Sequence, residues 1–91
     1  MGQAAKLIIC GRVQGIGLRY AVSQYARQKR LAGWIKNEAD GTVSCLVQAP
    51  EKEVGQLIGW LKKSNDLPGI EQIKTIWSNQ EETLTNFRII H

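Results

Sequence analysis

Histidine and cysteine are scarce in this sequence of 91 residues, which has one histidine, at its last position, and two cysteines. No group of His, Cys, Asp and Glu shows the spacing of a metal site, so the sequence predicts no bound metal. His91 is the only imidazole, and its terminal position leaves no central histidine for general acid–base catalysis. We expect His91 to take no part in the chemistry.

Features of export and membrane insertion are also lacking. No segment approaches the ~18 consecutive apolar residues of a membrane-spanning helix, and the run LIIC near the N-terminus is shorter than the about 7–15 residues of a signal peptide's apolar region. The strand patterns predict that Cys10 faces outward and Cys45 inward, which prevents a disulfide between them. Free thiols fit a reducing compartment, so we expect a cytoplasmic protein.

The charge is modestly positive, with 12 Lys and Arg residues against 8 Asp and Glu. Such a balance makes an anionic partner plausible without distinguishing nucleic acid from a small phosphate. The basic residues form no run of five or more, so a solvated surface is favoured over a groove for a polyanion. The length and the 43% hydrophobic content fit one folded domain.

Hydrophobic periodicity predicts seven elements in the order β-α-β-β-α-β-β. The predicted strands are residues 6–13, the two halves of 33–48, 70–77 and 84–90, and the predicted helices run from about Gly17 to Arg30 and from Pro50 to Lys63. Helices separated by strands in this order favour an α+β, two-layer sandwich, in which both helices cover one face of an antiparallel sheet.

The segment GRVQGIGLRY, residues 11–20, joins the first predicted strand to the first helix. Consecutive N–H groups at a glycine-rich turn into a helix form a concave site for an anion of phosphate size, and Gly15 and Gly17 let the backbone turn there. Arg19 adds a planar fork for two phosphate oxygens. This pattern alone is weak evidence, because the glycines by themselves favour a structural turn over an anion site.

Asn37 lies at the end of the predicted strand GWIKN. In the predicted topology this strand runs parallel to the first strand, so Asn37 approaches the edge of the sheet that carries the glycine loop. A carboxamide at that place is suited to hold a water through its carbonyl oxygen while its NH₂ group contacts a substrate oxygen. An ordinary role in the turn before EADG is the alternative.

These two segments resemble the acylphosphatase family. GRVQGIGLRY is similar to the family's G-[RK]-V-Q-G-V-x-F-R loop, and LAGWIKNEADGTV is similar to its G-W-V-x-N-x-x-D-G-x-V hairpin. The resemblance extends over nearly the whole chain, through WLKK in the second helix, the strand after Pro68 and the closing NFRII. Two motifs at the family's separation are far more specific than either motif alone.

The resemblance implies a ferredoxin-like fold and a single domain over residues 1–91. It also implies hydrolysis of the mixed anhydride of acyl phosphates to a carboxylate and inorganic phosphate, without a metal or another cofactor. Arg19 would bind the phosphate and Asn37 would orient the attacking water. The backbone amides of the loop would form the phosphate cradle, and they belong to Gln14, Gly15, Ile16, Gly17 and Leu18.

The sequence departs from the family pattern at several positions. Leu18 and Ile16 replace the usual Phe and Val, and we expect both to pack below the loop. Ala49, Leu67 and Glu71 replace residues that are commonly Gly, Gly and small, which brings the shape of the loops near the second helix into question and leaves the phosphate site unaffected.

The alternative function is a non-catalytic anion- or RNA-binding module on the same fold. RNA-binding sandwiches of this type carry aromatic residues on the sheet face. A run of such aromatic residues does not occur on the first or third strand, where Cys10, Ser44 and Leu46 are predicted to face outward. We therefore expect small-molecule partners, an acyl phosphate and inorganic phosphate, with no nucleic acid, no membrane and a monomeric state.

Overall fold

The computed structural model describes residues 2–64, 67–80 and 83–91 and confirms the predicted order of elements. The elements are β1 (Gly2–Gly11), α1 (Leu18–Gln28), β2 (Ala32–Asn37), β3 (Val43–Gln48), α2 (Glu51–Lys63), β4 (Ile70–Gln80) and β5 (Phe87–Ile90). No helix in these ranges is long and apolar enough to cross a membrane.

The strands form one sheet in the order β4-β1-β3-β2-β5. β3 pairs antiparallel with both β1 and β2, so β1 and β2 run in the same direction as predicted. Ile9 and Asn37 both pair with Val43, which places Asn37 two strands, roughly 10 Å, across the sheet from the end of β1. The sheet is mixed where an antiparallel sheet was predicted, because β5 pairs in parallel with β2.

Both helices pack on one face of the sheet, and the core lies between the two layers. Alternate residues of β1, β2 and β3 point into it, and the buried stripes of α1 and α2 cover them. Its members include Leu7, Ile9, Ile35, Val43, Cys45 and Val47 from the sheet, Leu18, Val22 and Ala26 from α1, and Val54, Leu57 and Leu61 from α2. This arrangement confirms the predicted two-layer sandwich.

The two cysteines lie on opposite faces of the sheet, as the strand patterns predicted. Cys45 is fully buried in the core, Cys10 is partly exposed on the other face, and both are free thiols. Burial raises the pKa of the Cys45 thiol to about 12. Cys45 is therefore a small apolar core residue rather than a nucleophile.

α1 ends at Gln28, two residues before the predicted end, because the chain reverses there in a Schellman motif. The N–H of Leu31 donates to the carbonyl of Ala26 at 2.8 Å, and the N–H of Arg30 donates to the carbonyl of Arg27 at 3.3 Å. Arg30 takes the left-handed conformation of this motif, with φ of 57°. Glycine usually fills that position, and with arginine there the end of the helix has no signal in the sequence.

Candidate active site

The loop of residues 12–17 carries the chain from β1 into α1 through two left-handed glycines. φ is 80° at Gly15 and 82° at Gly17, a conformation that costs other L-residues about 1–2 kcal/mol. No atom lies within 4 Å of where a Cβ would stand at either glycine. The backbone conformation, rather than crowding, therefore requires glycine at both positions.

The N-terminus of α1 directly follows this loop and has no acidic partner within the helix. Gly17 is the N-cap and provides no side-chain hydrogen bond, and the first turn of α1 contains no acidic residue. The first N–H groups of a helix have no acceptor within it and carry partial positive charge. The end of α1 next to the loop is therefore suited to bind an anion.

A cavity of about 170 Å³ opens at this point and brings Arg19 and Asn37 together. Its lining consists of Val13, Gly15, Gly17, Leu18, Arg19, Tyr20, Asn37, Ile89 and His91. Of the five residues expected to form the phosphate cradle, Gly15, Gly17 and Leu18 line the cavity and the other two do not. Ile16 packs against the core instead, and the Gln14 side chain bonds to the β2–β3 turn.

Asn37, the last residue of β2, lines the cavity and has a buried side-chain oxygen. Its Oδ1 atom is inaccessible and has no hydrogen-bond partner in the part of the chain that the structure describes. Buried polar atoms are nearly always hydrogen-bonded, and leaving one unpaired costs about 1–3 kcal/mol. This unpaired acceptor lies beside the cavity, and the side chain of Asn37 has to turn toward the cavity before its oxygen can accept from a water.

Sequence reasoning missed four residues of the lining, Val13, Tyr20, Ile89 and His91. The last two reach the site because β5 lies parallel to β2, with Ile35 opposite Ile89 and Lys36 opposite Ile90. This register brings the next residue, His91, level with Asn37. The sequence does not indicate this placement, because the pattern of a short final strand does not show which strand it pairs with.

The described residues contain no group of three or more His, Cys, Asp or Glu side chains placed to hold a metal ion. Arg19 and the main-chain N–H groups at the start of α1 supply positive charge at the cavity. They form a site for an anion whose oxygens accept several hydrogen bonds. This chemistry fits a phosphate group.

The acylphosphatase family model matches residues 5–89. The chain belongs to the acylphosphatase family. It is 35% identical over 86 residues to the acylphosphatase of Thermococcus kodakarensis, covering 94% of this chain and 93% of the relative, and 34% identical to that of Bacillus subtilis, covering 94% of each. The crystal structure of the Bacillus subtilis acylphosphatase superposes with a TM-score of 0.88 at 32% identity, covering 98% of this chain and 99% of that one.

Two departures from the acylphosphatase motif leave the packing beneath the loop intact. Leu18, which replaces the usual Phe, is 1% exposed in the core, and Ile16 is partly buried against it, as expected. Ala49 and Leu67 are buried, whereas Glu71 is exposed on β4. None of these last three lines the cavity of this acylphosphatase-family chain.

Proposed function

We propose that this chain hydrolyses acyl phosphates to a carboxylate and inorganic phosphate. The proposal rests mainly on one observation: a single cavity is lined by Arg19, by the loop at the uncapped start of α1 and by Asn37. Membership in the acylphosphatase family supports the same reaction. The expected products are chemically simple and easily measured.

In the proposed reaction, Arg19 and the loop amides hold the phosphoryl oxygens, and Asn37 Oδ1 accepts a hydrogen bond from a water. The water oxygen attacks phosphorus, and the bond from phosphorus to the acyl oxygen breaks with its electron pair moving to the departing carboxylate. The water's protons pass to the phosphate product and the solvent. A carboxylate leaves without protonation, so positioning and charge stabilisation provide the catalysis.

The remaining properties are predictions that accompany this proposal. Residues 1–91 are proposed to act as a single, monomeric domain that needs no metal or other cofactor. A cytoplasmic location is in keeping with two free cysteines. An assay in the presence of a chelator, with inorganic phosphate as competitor, tests the cofactor and the phosphate site together.

Arg19→Ala and Asn37→Ala test the two assigned roles with benzoyl phosphate as substrate. Removing one donor to a transition-state charge costs about 10²–10³ in kcat, and we expect at least this loss from Arg19→Ala; losing the group that positions the water is expected to cost about 10² in Asn37→Ala. Arg19→Ala also weakens inhibition by inorganic phosphate, whereas Asn37→Ala leaves that inhibition largely intact, because it removes the group that faces the water.

Two exposed residues provide matched controls, Arg27→Ala in the last turn of α1 and Asn79→Ala on β4. Both are expected to keep wild-type kinetics, and circular dichroism verifies that all four variants fold. Near wild-type turnover in folded Arg19→Ala would show that its assigned role is wrong. A wild-type chain that releases no phosphate would refute the proposed function.

A further inference from the structure

The side chain of Gln14 joins the glycine loop to the β2–β3 turn. Its Nε2 atom donates to the carbonyl of Glu38 at 2.7 Å and to the carbonyl of Thr42 at 3.0 Å. A carboxamide nitrogen carries two hydrogens, so both are used in this contact. Neither bond is local, since the acceptors lie 24 and 28 residues further along the chain.

The β2–β3 turn is already ordered by its own hydrogen bonds. Glu38 N–H donates to the carbonyl of Thr42 at 2.9 Å, and Gly41 N–H donates to the carbonyl of Glu38 at 3.2 Å. The N–H and hydroxyl of Thr42 both donate to Asp40 Oδ1, at 3.0 and 2.7 Å, and these bonds lower the pKa of the Asp40 carboxyl. The two carbonyls that Gln14 reaches are therefore held in place independently of it.

Within the described ranges, no other hydrogen bond connects residues 12–17 to this turn. The N–H of Arg12 donates to the carbonyl of Gly69, and the carbonyl of Gly17 accepts from Ala21 within α1. The loop bears the proposed phosphate-binding amides, and Asn37 immediately precedes Glu38, one of the two acceptors. The Gln14 contact therefore spans the gap between the two halves of the site.

We infer that Gln14 is a positioning residue, which fixes the loop and its bound phosphate relative to the water held by Asn37. This inference rests on the proposed function. Because the phosphate is gripped by the loop and Arg19, loss of the contact leaves phosphate binding intact and misaligns the attack. A misplacement of about 1 Å at such a site can cost about 100-fold in rate.

Gln14→Met tests this role, because it keeps the length of the side chain and removes both donors. The expected result is a fall in kcat for benzoyl phosphate of about 10- to 100-fold, with an unchanged inhibition constant for inorganic phosphate. Gln24→Met is the matched control on the exposed side of α1 and is expected to match the wild type. Equal kcat values for folded Gln14→Met and Gln24→Met would refute the inference.

A double-mutant cycle with Asn37→Ala separates positioning from a general structural effect. If Gln14 acts by aligning the phosphate with the water at Asn37, Gln14→Met lowers kcat in the wild-type background and adds nothing in Asn37→Ala. A purely structural role would give the same fold-loss in both backgrounds and would contradict the inference.

If Gln14→Met does not fold, Gln14→Asn replaces it, because it keeps the amide and falls one methylene short of the two carbonyls. The same loss of kcat with the same phosphate inhibition is expected, and wild-type kcat in Gln14→Asn would overturn the assignment. Failure of the underlying reaction gives a different result, since the wild-type chain would then release no phosphate.

Discussion

At the scale of single residues, the proposed reaction depends on where two polar side chains are placed. Arg19 reaches the cavity from the first turn of α1, and Asn37 reaches it from the last position of β2. Neither residue needs to gain or lose a proton in the proposed reaction. The proposed reaction relies on the positions of the Arg19 guanidinium and the Asn37 carboxamide, so it does not require a central histidine.

The two cysteines provide a residue-scale prediction, because one strand position determines the reactivity of each thiol. At pH 8 a thiol with the raised pKa of Cys45 is ionised in about one molecule in ten thousand, and its burial keeps reagents away. We expect Ellman's reagent to modify one thiol, Cys10, in the native protein and two in guanidinium. Cys10→Ser, the matched control, is expected to leave no reactive thiol in the native state. Rapid modification of Cys45 under native conditions would contradict the described core.

At the scale of elements, backbone strain at the end of α1 lowers the free energy of unfolding. Arg30 occupies the left-handed position of the Schellman motif, where a Cβ costs about 1–2 kcal/mol. Glycine removes this strain, but its greater freedom in the unfolded chain offsets part of the stabilisation. Arg30→Gly should therefore stabilise the protein by about 0.5–1 kcal/mol, which raises Tm by roughly 2–8 °C. Thermal unfolding by circular dichroism measures the shift.

The control for this prediction is Lys29→Gly, one position earlier. Lys29 has φ of −89°, a conformation open to any residue, so glycine relieves no strain there, adds freedom to the unfolded chain and removes the Lys29 ammonium that lies 5.9 Å from the Tyr25 ring. Lys29→Gly is expected to lower Tm. A lower Tm for Arg30→Gly as well would show that the side chain of Arg30 contributes more than its backbone strain costs.

The order of elements was predictable because alternation and helical stripes are local properties of the sequence. The same order fixed the direction of β2, which brings Asn37 to the edge that carries Arg19 and the glycine loop. The contact of Gln14 and the placement of His91 were not predictable. The Gln14 contact depends on hydrogen bonds to residues 24 or more positions further along the chain. The placement of His91 depends on which strand pairs with β5, a strand of only 4 residues.

At the scale of the whole molecule, the sheet face that neither helix covers carries basic residues. Pairing places two cross-strand rows on this face, Ile76-Lys6-Leu46-Trp34-Arg88 and Lys74-Ile8-Ser44-Lys36-Ile90. Four cations alternate between the rows and the ten positions include no acidic residue, but Lys36 Nζ lies 3.8 Å from the Glu38 carboxylate, which leaves Lys6, Lys74 and Arg88 as the other three cations. A single aromatic residue, Trp34, lies among them, with the Lys36 ammonium 5.9 Å from its ring. The face can thus attract a polyanion electrostatically, but these ten positions provide a stacking surface for only one base.

This arrangement predicts weak nucleic-acid binding that salt abolishes. Three phosphate contacts, from Lys6, Lys74 and Arg88, each lower the logarithm of the binding constant by about 0.7 per tenfold rise in salt for single strands, which gives about a 20-fold loss of affinity between 50 and 200 mM salt. Fluorescence anisotropy with a labelled single-stranded RNA should therefore show weak binding at the lower salt and none at the higher. Lys6→Gln and Arg88→Gln should each reduce the salt slope by about 0.7. Tight binding at 200 mM that depends on Trp34 would show that nucleic acid is a genuine partner, because stacking, unlike phosphate contact, persists in salt.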